Sequence, residues 1–207
     1  MRVIAGEYGG RRLKSLEGRD TRPTTDRVKE AMMSSVVSAR EGGFEGCSVL
    51  DAFAGSGALG IEALSRGASQ CIFLERSGKA LEVVRENLSS LGLEPPRAVV
   101  RKGEANKLAG RLEPDSGVFD VVFLDPPYAL GPRLVPDLLA SLAGAGLLSQ
   151  GAVVVYEHAQ GDLETTPGKC PFPDAEGLEA LVLASQRTYG NTQVSILTFS
   201  PAAEGMR

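Results

Sequence analysis

Two groups of residues in this chain have the types and spacing to do chemistry. The first is Asp125, Pro126, Pro127 and Tyr128, which follow the apolar run at 119–124. An exocyclic amine of a nucleobase is a poor nucleophile while its lone pair is conjugated with the ring. Two acceptors, the Asp125 carboxylate and the Pro126 carbonyl, can hold its two N–H bonds and turn the lone pair outward. The proline rings fix the backbone, so that carbonyl is preorganised. Tyr128 offers a face on which an extruded base stacks, an interaction of roughly 1–3 kcal/mol. Holding amine and methyl donor in line can supply roughly 7–11 kcal/mol of the barrier, with no metal and no covalent nucleophile. On its own the same tetrapeptide also reads as a rigid turn, so its meaning depends on the second group.

That second group is the Gly-rich stretch at 51–60. Gly55, Gly57 and Gly60 form a G-x-G-x-x-G between a short apolar run and a helical pattern, and Glu75 ends the next apolar run. This is the adenosyl-cofactor fingerprint: glycines for close backbone approach, an acidic residue for ribose hydroxyls. Asp51 precedes the first glycine and would repel a pyrophosphate. A ligand carrying a sulfonium and an amino group suits it better, which favours S-adenosylmethionine over a nicotinamide dinucleotide.

The elements that must position these residues alternate. Short strands are expected over 48–51, 71–75, 98–100, 119–124 and 152–156, and helices over 58–66, 78–91, 105–112 and 133–143. Two β-rich runs, 181–188 and 193–199, close the chain as an antiparallel pair. Alternation with near-continuous apolar strands predicts an α/β fold with a mostly parallel sheet covered on both faces. Residues 160–177, rich in Pro, Gly and Thr, read as loop. Residues 2–5 and 11–14 read as two strands around a Gly9-Gly10 turn, and Thr24 or Thr25 caps a helix reaching Ala39.

Composition narrows the field. With 207 residues, 43% hydrophobic and 23% charged, the chain is ordinary globular material for one main domain. A run of roughly 18 apolar residues, the minimum for a membrane span, is missing, and so is a secretory leader. Cys47, Cys71 and Cys170 fit neither a disulfide framework nor a zinc site, which points to a reducing cytoplasm. His158 is the one histidine, and it reads as a surface residue. Net charge is −4, yet nine of the 22 Lys/Arg fall in the first 40 residues. That asymmetry suggests a basic arm on an acidic body. Arg27 and Lys29 also fit a plain solvated helix face.

The residues quoted above resemble class I methyltransferases that modify an amino group of a base. The opening residues 2–6, 10–14 and 22–31 are similar to the bacterial 16S ribosomal RNA guanine-N2 methyltransferases, and so are residues 187–192 (Arg-Thr-Tyr-Gly-Asn-Thr). The resemblance implies a Rossmann-like, seven-stranded sheet with its last strand antiparallel and an N-terminal β-hairpin. It implies an RNA-contacting extension at 1–45 and a methyltransferase domain at 46–207. Asp51, Gly55 and Gly57 would line the methionine part of the cofactor, Glu75 its ribose, and Glu104 with Ala105 its adenine. Phe53, Ala54, Ser56 and Arg76 would complete that pocket. Arg2, Arg11, Arg12, Lys14, Arg22, Thr24 and Arg27 would meet RNA, or the last three would instead shape the cofactor or base pocket. The partner would be 16S rRNA within a small ribosomal subunit or an assembly intermediate, met by a cytoplasmic monomer that uses no metal.

Other readings stay open on the residues alone. Adenine-N6 or cytosine-N4 methylation of DNA or another RNA uses the same Asp-Pro-Pro-Tyr geometry. A nicotinamide-dependent dehydrogenase would use the glycines but leaves Asp125 unexplained. A non-catalytic RNA-binding assembly factor would need neither.

Overall fold

The structure is a computed structural model that describes residues 1–16, 26–115, 117–127, 131, 133–163 and 166–200. In chain order the elements are α1 (Asp26–Ala39), β1 (Ser48–Asp51), α2 (Ala58–Ser65), β2 (Gln70–Glu75), α3 (Gly78–Ser90), β3 (Ala98–Lys102), α4 (Ala105–Leu108), β4 (Phe119–Leu124), α5 (Leu134–Gly144), β5 (Leu148–Ala159), β6 (Leu181–Tyr189) and β7 (Thr192–Phe199). The strands form one seven-stranded sheet in the order β3-β2-β1-β4-β5-β7-β6. The pairs from β3 through β5 are parallel, and β7 runs antiparallel between β5 and β6. The expected α/β sheet with an antiparallel last strand is therefore present. Among the described residues no helix separates β5 from β6, in keeping with the loop composition there.

Alternation along the strands divides the apolar side chains between two layers. Val49, Phe73, Val121, Phe123 and Val155 face a layer supplied by α1, α2 and α3. Leu50, Ile72, Leu74, Val122 and Val154 face α5 and the α4 region. The strand sequences are apolar at nearly every position because both faces are covered. The chain order reverses between β1 and β4, and ligands of open α/β sheets bind at the carboxyl ends of the strands beside such a reversal.

The N-terminal segment pairs antiparallel as expected, in a short form: Arg2 bridges Arg12, the Val3 N–H donates to the Arg11 carbonyl, the Gly10 N–H to the Val3 carbonyl and the Leu13 N–H to the Met1 carbonyl. The N–H groups of Ile4 and Ala5 donate to the Glu62 carboxylate of α2, at 2.8 and 3.0 Å, and dock the pair on α2. Glu62 also meets Lys29 of α1 at 3.0 Å and Arg66 at 2.9 Å. Both Glu62 and Lys29 are buried, so Lys29 does not belong to a solvated face, whereas Arg27 is exposed. Lys29 also donates to the Arg2 carbonyl, and Arg66 to Glu30. One carboxylate thus ties the N-terminal segment, α1 and α2 together.

His158 is likewise buried at 1% exposure, against the surface expectation. Its ring nitrogens hydrogen-bond the Ala159 carbonyl and the Ser195 hydroxyl, each at 2.8 Å, and burial pulls its pKa down. β5 runs three residues past the expected end at Tyr156, and pairing with β7 encloses the imidazole.

Burial acts to raise the Glu62 pKa, but the Ile4 N–H, Lys29 and Arg66 outweigh it and hold it below the usual value. Its contribution to stability is therefore full above about pH 4.5, the ordinary value, and fades as pH falls below it. Glu62→Gln strands the buried Lys29 charge and is expected to cost about 3–5 kcal/mol. Urea unfolding between pH 3 and 7 checks this, and the variant should also show a flatter acid limb.

Candidate functional site

The register of the parallel strands builds the site. Asp51, the last residue of β1, stands opposite Phe73 on one side and Phe123 on the other. Glu75 and Asp125 each follow two residues later. Three carboxyl groups therefore meet at one edge. Asp51 is 2% exposed, and its Oδ2 accepts the Gly60 N–H at 3.0 Å. Burial, with smaller contributions from the nearby Asp125 and Glu75 charges, pushes its pKa up to about 7 against the pull of the Gly60 N–H.

Gly57 and Gly60 have separate geometric reasons. Gly57 caps α2 at φ 80°, in the left-handed region that side chains disfavour. A Cβ on Gly60 would come within 2.4 Å of the Phe73 ring and 2.6 Å of the Cys71 sulfur, so only glycine lets α2 lie against β2. The Glu75 carboxylate closes the turn: Oε2 accepts the Gly55 N–H at 3.0 Å and Oε1 the Ser77 N–H at 2.7 Å. Each oxygen keeps a further lone pair for a hydroxyl donor.

The other expected residues are placed as follows. Ala54 and Ser56 are buried in the turn and Phe53 is half-buried against the α5 layer. Arg76 is exposed just past β2. Glu104 stands before α4, exposed and paired with Lys107 at 2.8 Å, while Ala105 is buried. Pro126 is half-buried and Pro127 exposed beyond β4. Arg2, Arg11, Arg12, Lys14 and Arg27 are exposed. Arg2 pairs with Asp26 at 3.2 Å, Lys14 with Glu86 at 2.6 Å, and Arg11 donates to the Ser90 carbonyl at the end of α3. Arg22, Thr24, Thr25 and Tyr128 lie outside the described residues. Among the described residues no cluster of His, Cys, Asp and Glu could hold a metal, and no helix is long and apolar enough to cross a membrane.

Asn87 of α3 belongs with these residues, although the sequence reading did not single it out. It is 2% exposed. Its amide donates to the Ser56 carbonyl at 2.9 Å and the Lys14 carbonyl at 3.1 Å, and its oxygen accepts the Lys14 N–H at 2.7 Å. The Ser56 hydroxyl also lies 3.6 Å from the Met1 sulfur. The basic segment and the Gly-rich turn therefore share one side chain. A polar residue on the apolar stripe of an amphipathic helix was the available signal.

Residues 1–198 match the protein family described as Conserved hypothetical protein 95. Over 196 residues the chain is 38% identical to "Putative rRNA methyltransferase YlbH" of Bacillus subtilis, covering 95% of this chain and 97% of that protein. Over 168 residues it is 33% identical to ribosomal RNA small subunit methyltransferase D of Haemophilus influenzae, covering 81% and 83%. Among solved structures it is similar to "Putative methyltransferase yhhF from Escherichia coli" with a TM-score of 0.76 at 25% identity, covering 98% of this chain and 99% of that one. The sheet order and the surrounding helices are those of the class I methyltransferase fold.

Asp51 carries a signature in stability. Its folded pKa of about 7 lies above the ordinary 3.8, so the folded chain keeps a proton that the unfolded chain has lost. Stability from this group falls as pH rises from about 4 to about 7. Asp51→Asn keeps an acceptor for Gly60 and removes the titration. The variant is expected to gain about 2–4 kcal/mol on wild type at pH 8 and little at pH 4, read by urea unfolding.

Proposed function

The chain belongs to the Conserved hypothetical protein 95 family, and from that premise we propose that it transfers a methyl group from S-adenosylmethionine to the exocyclic N2 amine of a guanine in small-subunit (16S) rRNA. The observation that carries this reading is the acidic edge at the strand ends, where Asp51 is buried with Glu75 and Asp125 close enough to raise its pKa. Such an edge fits a ligand with an ammonium and a sulfonium and disfavours a pyrophosphate. The names of the rRNA methyltransferase relatives support an rRNA substrate.

When bound, S-adenosylmethionine supplies an electrophilic methyl on its sulfonium. Asp51 would hold the amino group and, with that cation bound, would favour its own carboxylate form. Glu75, already oriented by the Gly55 and Ser77 N–H groups, accepts from the ribose hydroxyls. Gly55, Gly57 and the adjoining Phe53, Ala54 and Ser56 let the backbone approach closely, with Arg76, Glu104 and Ala105 at the adenine side. At β4, the Asp125 carboxylate and the Pro126 carbonyl accept the two N–H bonds of the guanine amine and aim its lone pair at the methyl, while Pro127 stiffens the turn and Tyr128 stacks on the base. After transfer the alkylated amine sheds its proton readily, so Asp125 acts by orientation and need not be a strong base. Segment 1–45, with Arg2, Arg11, Arg12, Lys14, Arg22, Thr24 and Arg27, holds RNA, and 46–207 carries the chemistry. The substrate is the small subunit or an assembly intermediate, met by a cytoplasmic monomer.

Transfer of labelled methyl to undermethylated small subunits, naked 16S rRNA and duplex DNA tests this, with product nucleosides resolved afterwards. The expected product is N2-methylguanosine. Asp125→Ala should lower kcat about 10²–10³-fold while RNA binding survives. Label in N6-methyladenine or N4-methylcytosine would keep the role of Asp125 and overturn the base. Undiminished transfer by Asp125→Ala would overturn the mechanism.

A further inference from the structure

The β6–β7 hairpin has no part in the chemistry above, yet the register puts it beside the reacting edge. Leu124, the last residue of β4, is opposite Tyr156, and β5 continues three residues further to Ala159. Ala159 is opposite Thr192, which is opposite Tyr189. At about 3.3 Å per residue, β5, β7 and β6 rise roughly 10 Å above the end of β4 and wall one side of the site.

The row at the level of Asp125 is informative. Glu157 of β5 is opposite Val194 of β7, and Val194 is opposite Arg187 of β6. In-register neighbours, and residues two apart on one strand, share a face. Asp51 is opposite Phe123, and Phe123 is opposite Val155, two residues before Glu157. Arg187 therefore stands on the face that carries Asp51. It is exposed, and three strand spacings of about 4.8 Å put it roughly 14 Å from β4. That separation is within reach of the backbone phosphates of a nucleotide whose base enters at Asp125.

Charge gives the reason for a cation there. Asp51, Glu75, Asp125 and Glu157 surround the edge with carboxyl groups, and a phosphate passing over them is repelled. α1 packs on β5 and β7. Its last turn is followed by Arg40, 4.0 Å from Asp120 at the start of β4. Its first turn, with Arg27, therefore points to the carboxyl edge, where Arg2 meets Asp26. Basic residues of two separate elements thus reach the same edge.

We infer that Arg187 is a phosphate-binding residue which, with Arg27 on the same face and at the same edge, holds the RNA backbone next to the target base. The inference rests on the proposed RNA methyltransferase function. Its test is the salt dependence of binding to in vitro transcribed 16S rRNA and undermethylated small subunits, with methyl transfer measured on both. Arg187→Ala is expected to raise the KM for RNA about five- to tenfold. It should also reduce the slope of log affinity against log salt by about 0.7–0.9. The kcat, cofactor affinity and melting temperature should stay at wild-type values, since the side chain is exposed and away from the Gly-rich turn. Arg187→Lys should recover the slope but only part of the affinity, because the guanidinium fork is lost. A wild type that methylates RNA beside an Arg187→Ala variant of unchanged slope and KM would overturn this inference alone. A wild type that neither binds nor methylates either RNA overturns the proposed function, and this inference with it.

Discussion

The ladder hydrogen bonds that set Asp51 opposite both Phe73 and Phe123 fix three parallel strands in one register. A shift of one residue in either pairing would turn Glu75 or Asp125 to the other face of the sheet. The acidic edge, the seat of the Gly-rich turn and the height of the β5–β7–β6 wall all depend on that register. It is held from both sides, since Phe73 and Phe123 are buried under α1, α2 and α3 while Ile72 and Val122 are buried in the opposite layer. A central parallel sheet suits such a site because no strand bearing a functional residue is free to slip.

Two buried carboxylates solve opposite problems in the same molecule. Glu62 has four donors around it, two backbone N–H groups and two cations, and its pKa stays low despite burial. That carboxylate is structural: it docks the N-terminal segment and α1 on α2. Asp51 has one backbone donor and two like charges nearby, and its pKa is raised. An unbalanced buried charge is costly in a domain whose net stability is only about 5–15 kcal/mol, and a ligand that relieves it binds with that relief in its favour. The contrast separates a scaffold carboxylate from the one proposed to bind a ligand without reference to motif.

Asn87 joins the two regions. Through it the Gly-rich turn is bonded to the segment bearing Arg11, Arg12 and Lys14, so a shift in either is felt by the other. In the proposed reaction, where RNA and cofactor must be in place together, such a bond makes the two sites mechanically continuous.

The alternation of strands and helices, the Gly-rich turn with Glu75 beyond it, and Asp125 after an apolar strand were all legible in the amino-acid sequence. Each rests on local rules: strand and helix periodicity, glycine at positions other residues disfavour, and a proline pair that stops a strand. The burial of Lys29 was not legible, because a lysine followed by Glu30 on a helix reads as solvated until a carboxylate on another helix is found beneath it. Glu62 among the apolar residues of α2 hinted at a partner without identifying one. The docking of the N-terminal pair on α2 was not legible for the same reason: the Ile4 and Ala5 N–H groups meet a carboxylate far along the chain. His158 became a core residue because β7 folds back antiparallel and covers it. Arg187 gained its place through three strand pairings, each set by side chains on both faces of the sheet. Local sequence determined which residues could do chemistry; long-range pairing decided which of them stand together, because hydrogen-bond register and burial are properties of neighbours distant in the chain.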